Sequence, residues 1–144
     1  MATKIENPQI IQFDRDDQYL TIVDLVAFNM GLEIVERAGS FASADKVFEK
    51  IQKKIINPNI AIVSSYLGES TTDGEKIAAK LREMVPGIYI IAYSIIDDIT
   101  WGDKLVPKSP TETTMTIVKA LEEITGKTFK GSNVTDENRG EKDF

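Results

Sequence analysis

The stretch IAIVSSYLGESTTDG, residues 60–74, decides how the chain is read. Its opening, IAIVS at 60–64, is a short unbroken apolar run of the kind found in strands covered on both faces of a parallel sheet. A polar loop follows, and Thr72 with Glu75 has the spacing of a capping box. That spacing predicts a helix over 72–85, with Ile77, Ala78, Leu81 and Met84 forming its apolar stripe. A strand that ends in such a loop is a common place for a reactive carboxylate. Here Ser64 and Ser65 stand at the strand end instead.

Working outward, the same alternation repeats. IIQF at 10–13 reads as a strand ending at Asp14, and 16–30 as a helix carrying Tyr19, Ile22, Val23 and Val26, closed by Gly31. LEIVERA, 32–38, is a second strand. Ser43 is read as the N-cap of a helix with Val47, Phe48, Ile51 and Ile55 on one side. After the strand at 60–64 and its helix comes IYIIAY, 88–93, the most hydrophobic strand, and then DKLVP at 103–107. Ser109, Pro110 and Glu112 supply an N-cap, a first-turn proline and a capping-box acid for a last helix, with Met115, Val118 and Leu121 on its apolar face and Gly126 as its stop. Residues 1–8 are read as an N-terminal arm, 9–125 as one α/β domain, and 126–144, poor in apolar groups, as a disordered tail, with docking through Phe129 or Phe144 as the other reading of that tail.

Five alternating strand–helix units imply a doubly wound five-stranded parallel sheet, order 2-1-3-4-5, with helices on both faces. In that order the functional crevice lies at the carboxyl ends of strands 1 and 3. Asp14 is thereby brought beside Ser64 and Ser65, with Tyr93 and Ser94 ending strand 4 and Lys108 ending strand 5. Which of Tyr93 and Ser94 faces the crevice is open at this stage.

Composition removes whole classes of chemistry. The 144 residues include no cysteine and no histidine, which rules out thiolate chemistry, disulfides and serine–histidine catalysis within this chain. With 17 basic and 23 acidic residues the net charge is −6, so neither nucleic acid nor an anionic membrane surface is expected as a partner. Uncharged runs such as residues 84–96 are too short to span a bilayer, and the start of the chain lacks a signal-peptide pattern, so a cytoplasmic protein is expected. The Thr71–Gly74 stretch has no glycine-rich lysine loop and is not a P-loop.

An acidic cluster, hydroxyls and a lysine around one crevice suit phosphoryl chemistry. On four landmarks, "IIQFDRDD", "IAIVSSYLGESTTDG", "IYIIAYS" and "KLVPKSP", residues 8–125 resemble the receiver domain of bacterial response regulators, a flavodoxin-like fold. The resemblance implies an aspartate accepting phosphate at the end of strand 3, an acidic magnesium-binding pair after strand 1, a switch hydroxyl and a Lys-Pro pair. The matching positions depart from that pattern. Ser65 (or Tyr66) stands at the acceptor position, and Asp14 with Arg15 at the acidic pair, where the arginine is read as taking the cation's place beside Asp14. Asp16 is the substitute carboxylate and Ser94 the switch hydroxyl. Lys108 follows its proline, an inversion read as turning the lysine toward solvent. Only nine residues, 95–103, join strands 4 and 5, room for about one turn at ~1.5 Å per residue, so the fourth helix is shortened. Trp101 lies in that connection, either as a partner-binding anchor or as a lid on the sheet.

The resulting expectation is a pseudo-receiver. It is a non-enzymatic domain with no catalytic residue, no cofactor and no magnesium. It works in signal transduction by phosphorylation-independent binding of a protein partner near Trp101 and helix 110–125, with a homodimer through that face. The alternative is a flavodoxin-like binder of a small anionic ligand or nucleotide, held by Ser64, Ser65, Ser94 and Arg15.

Overall fold

The computed structural model describes residues 4–96, 98–108 and 113–129. The elements are β1 (Ile10–Phe13), α1 (Asp17–Asn29), β2 (Ile34–Ala38), α2 (Phe41–Gln52), β3 (Ile60–Val63), α3 (Asp73–Met84), β4 (Tyr89–Ser94), β5 (Lys104–Pro107) and α4 (Thr113–Thr125). All four strand pairs are parallel and the sheet order is β2-β1-β3-β4-β5, as the alternation predicts. The period of two along each strand divides the core into two layers. Ile10, Ile62, Ile91, Tyr93 and Val106 face α1 and α4, while Ile11, Phe13, Ala61, Val63 and Ile90 face α2 and α3.

Local chemistry sets the helix ends, and two differ from the sequence reading. α2 is capped by Ser40 and not by Ser43: Ser40 Oγ accepts from Ser43 N at 3.2 Å and Ser43 Oγ accepts from Ser40 N at 3.1 Å. Ser43 is thus the third helical residue, doing the work usually given to a glutamate in a capping box. At α3, Thr72 makes no side-chain cap; its hydroxyl pairs with Ser70 Oγ at 2.8 Å. Gly31, just past the Met30 C-cap of α1, has a φ of 72°, the left-handed conformation that glycine adopts freely. The sequence reading of the α4 cap, residues 109–112, lies outside the described residues, as does all of the tail beyond 129. Phe129 itself packs against the α1–α4 core layer.

The connection from β4 to β5 contains no helix among the described residues. Its end, Trp101–Asp103, lies against the sheet instead. Asp103 exchanges two hydrogen bonds with Ile90, donating to its carbonyl at 2.7 Å and accepting from its N–H at 2.8 Å. Arg82 on α3 ties the connection down by donating to the Trp101 carbonyl at 2.7 Å and pairing with Asp103 at 3.2 Å. Trp101, half-buried, packs on the α2–α3 core layer, covering part of the face that a crossover helix would cover.

Gly74 is where this lid meets the sheet. A β-carbon there would stand 2.3 Å from the Ser64 carbonyl and 2.8 Å from the Trp101 ring. Gly74→Ala is therefore expected to destabilise the fold by about 2 kcal/mol or more, since overpacking a tight core commonly costs about 1–3 kcal/mol. Gly39→Ala, whose β-carbon meets nothing closer than 3.5 Å, is the control. Urea denaturation followed by Trp101 fluorescence measures both; equal stability of the Gly74 variant and the parent would refute the close approach.

Candidate functional site

The strand register builds the site. Phe13 aligns with Val63, and Val63 with Ala92, so the next residues on, Asp14 and Ser64, come out level, and Ser65 comes out level with Ser94. Ser94 aligns with Pro107, which delivers Lys108 to the same rim.

Lys108 is the centre of what forms there. Its Nζ donates to Asp14 Oδ2 at 2.7 Å and to Ser64 Oγ at 3.2 Å. It also lies 4.1 Å from the Tyr19 ring centroid and 5.5 Å from that of Tyr93. The two charged side chains are only 6% and 2% exposed, so this is a buried ion pair. The expectation that Lys108 turns to solvent is corrected. β5 ends at Pro107, so Lys108 lies past the strand and outside its side-to-side alternation; its N–H donates to the Ser94 carbonyl at 3.0 Å. From there the long apolar stem carries the amine across two tyrosine faces. Asp14 Oδ1 accepts from Asp16 N at 3.0 Å. Burial pushes the Asp14 carboxyl above its ordinary value, opposed by the charge and hydrogen bond of Lys108.

The serines form a second link. Ser65 Oγ and Ser94 Oγ are 2.7 Å apart and buried, joining the ends of β3 and β4. Ser94 Oγ also accepts from Ile96 N at 3.0 Å, and Ser64 Oγ from Tyr66 N at 3.3 Å. Ser94, not Tyr93, therefore meets the β3 end. Tyr93 lies in the α1–α4 core layer, where burial pushes its hydroxyl pKa upward, and its ring meets that of Tyr19 edge-on.

The side chains of Arg15 and Asp16 take no part in the pair. Arg15 does not stand beside Asp14 as the sequence reading had it; its guanidinium donates to the Gly68 carbonyl at 2.8 Å and lies 4.5 Å above the Tyr66 ring. Asp16 caps α1 by accepting from Gln18 N at 3.0 Å. The loop that Arg15 grips is organised from within by Asp73, which the sequence reading treated as part of a helix start. Its Oδ2 accepts from Gly68 N at 2.7 Å, Ser70 N at 3.2 Å and Leu67 N at 3.3 Å. Sequence placed Tyr19 only on the α1 stripe, Tyr66 only as an alternative acceptor position and Asp73 only at a helix start; their roles in holding Lys108, Arg15 and the loop were not read from it. For Tyr19 no signal existed beyond its place on the apolar stripe; for Asp73 the signal was an acid at a predicted helix start.

This donor set does not fit a hard divalent cation, which needs an oxygen-lined site with its carboxylate free to bind it. The pocket offers one carboxylate, and an ammonium already lies against it. Among the described residues no group of three or more acidic, histidine or cysteine side chains could hold a metal ion. Lys108 donates to Ser64, and in that arrangement it cannot take the Ser64 hydroxyl proton. No described helix is long and apolar enough to cross a membrane.

No family model matches the chain, and no curated protein matches it. Solved structures do. The chain is similar to a response regulator receiver domain protein (CheY-like) from Methanospirillum hungatei JF-1, with 18% identity and a TM-score of 0.60 over 81% of this chain and 94% of that one. It is similar to response regulator TrrA from Thermotoga maritima in complex with Mg(2+)-BeF, with 20% identity and a TM-score of 0.60 over 79% and 98%. It is also similar to the phosphorylated cyanobacterial phytochrome response regulator RcpA, with 17% identity and a TM-score of 0.66 over 81% and 91%. At these identities the likeness establishes the CheY-like flavodoxin fold.

Lys108→Met leaves the Asp14 charge buried without a partner and is expected to cost about 3–5 kcal/mol at neutral pH. The double variant Lys108→Met with Asp14→Asn removes that charge and is expected to recover most of the loss. The pH dependence follows from the sign of the shift. A carboxyl whose folded pKa is raised takes its proton in the folded state first, so it favours folding as pH falls toward its unfolded value. The deficit of Lys108→Met therefore shrinks on acidification. Urea denaturation across pH checks both; a single variant as stable as the parent at neutral pH would contradict the buried pair.

Proposed function

We propose that this chain is a pseudo-receiver: a signalling domain with the receiver fold that works without phosphorylation, by binding a protein partner. The observation that carries the reading is the 2.7 Å pair between Lys108 and Asp14, which sets an amine of the chain itself against the one carboxylate in the pocket. The β3 end supports it with hydroxyls, Ser64 and Ser65, in place of a carboxylate that could form an acyl phosphate. TrrA is described with Mg(2+)-BeF and RcpA as phosphorylated; the pocket of this chain offers neither the acceptor nor the cation ligands for such states.

On this reading the domain is no enzyme, binds no magnesium and functions in the cytoplasm. Its net charge of −6 keeps nucleic acid out of the list of partners. The partner docks near Trp101 and the neighbouring β5–α4 face, where Trp101 is half-buried and Met115 is 45% exposed. The small-ligand alternative is weaker, because the groups it would use are engaged: Ser65 with Ser94, Ser64 with Lys108, and Arg15 with the Gly68 carbonyl.

The test is exposure to acetyl phosphate with magnesium, followed by intact mass. The expected result is no phosphoryl adduct under conditions that modify a competent receiver run alongside. An adduct mapping to Asp14 or Asp16 would overturn the reading.

A further inference from the structure

The groups around the Lys108 amine have a recognition chemistry of their own. Asp14 Oδ2 and Ser64 Oγ accept from Nζ, the Tyr19 ring centroid lies 4.1 Å away and that of Tyr93 5.5 Å. A carboxylate, a hydroxyl and aromatic faces are what recognise an alkylammonium ion: the oxygens take its N–H groups, and the ring quadrupoles attract its charge. Asp14, Ser64 and Tyr93 are buried, so each contact is stronger than it would be in water. None of these groups comes from the element that carries Lys108. Asp14 follows β1, Tyr19 lies on α1, Ser64 follows β3 and Tyr93 lies in β4. The cage is therefore assembled by the rest of the fold, and Lys108 enters it from beyond the end of β5 as a tethered guest. The surrounding rim is acidic. Asp16, Asp17, Glu69 and Asp98 stand exposed in the segments that follow β1, β3 and β4. Among the described residues none of them is in an ion pair, while the Arg15 guanidinium is held by the Gly68 carbonyl. Such a rim draws cations toward the cage and repels anions.

We propose that Asp14, Ser64, Tyr19 and Tyr93 form a binding site for the primary ammonium group of an alkyl amine, and that Lys108 is its autoinhibitory occupant. This rests on the reading that Lys108 and Asp14 close the crevice, and it names what the crevice accepts once Lys108 is drawn out: an alkylammonium group, from a lysine side chain of the partner or from a small free amine, and not an anion. The tether keeps the site closed at rest. A ligand held on the same chain acts at an effective concentration in the millimolar range or above, so an outside amine of similar intrinsic affinity does not displace it. Truncating Lys108 at its β-carbon removes a chain the size of n-propylammonium. Lys108→Ala with that ion added therefore rebuilds the pair from separate molecules.

Thermal melting of Lys108→Ala, followed by circular dichroism, tests the site. The probe is n-propylammonium chloride, and the control at equal ionic strength is tetramethylammonium chloride, which has no N–H to donate. At ~100 mM the amine is expected to raise Tm by about 5 °C along a saturable curve, as a millimolar ligand of the folded state does. If Lys108→Ala is unfolded by itself, the same amine is expected to restore its helical signal by the same mass action. The parent, its site filled, gains nothing beyond the control. Lys108→Ala combined with Asp14→Asn loses the response, and combined with Tyr19→Leu it needs at least about twofold more amine. Nα-acetyl-lysine amide as a second probe separates the sources: a response to it supports a partner lysine as the occupant, and a response to propylammonium alone supports a free amine. No specific gain with either probe overturns the proposal, as does a gain that survives Asp14→Asn or that appears equally in the parent. Neither magnesium nor a phosphoryl donor is present, so such a failure strikes the ammonium site and leaves the pseudo-receiver reading to its own test, the acetyl phosphate adduct.

Discussion

A buried ammonium needs an anion, and Lys108 has Asp14 at 2.7 Å. The rest of the crevice is arranged around that requirement. Desolvating two charges is expensive, and the loss is offset only when the geometry is close and the remaining hydrogen bonds are made. Here they are: Asp14 takes the Asp16 N–H on its second oxygen, and Lys108 adds the Ser64 hydroxyl and the Tyr19 face. With the charge balance closed inside the chain, the end of β3 does not need a carboxylate. Two serines fit there, and one of them, Ser65, bonds Ser94 across the strand ends. Arg15, one residue from Asp14, is released to hold the loop between β3 and α3 through Gly68 and Tyr66.

The same economy shows in the β4–β5 connection. A parallel pair usually needs a helical crossover to cover the sheet. Here the end of the nine-residue connection, Trp101–Asp103, is held against the sheet by Asp103 on Ile90 and by Arg82 on the Trp101 carbonyl. Trp101 supplies much of the apolar cover, and Gly74 makes space for it. Because Gly74 N also donates to the Ser65 carbonyl at 2.9 Å, the lid and the pocket share one wall. A partner that moved Trp101 would press on the β3 end directly.

The strand order, the placing of Asp14, Ser65, Ser94 and Lys108 on one rim, and the lack of a full crossover helix were all legible in the sequence. They depend on hydrophobic period and segment length, which are local properties. What was not legible depends on contacts between distant residues. The direction of Lys108 was misread because a strand's alternation was extended past its last residue. Arg15 was assigned to Asp14 because they are neighbours in sequence, whereas the aromatic face of Tyr66 is visible only in three dimensions. Ser43 and Thr72 were misread for a different reason: several hydroxyls compete at each helix start, and local pattern does not choose among them.

The most direct test of the account is a backbone amide NMR spectrum of the chain alone, then with magnesium, then with magnesium and beryllofluoride. If Lys108 and Asp14 close the pocket between them, no saturable shifts arise at Asp14, Ser65, Ser94 or Lys108. Saturable shifts at those residues, spreading toward Trp101, would show a working phosphoryl switch and contradict the account.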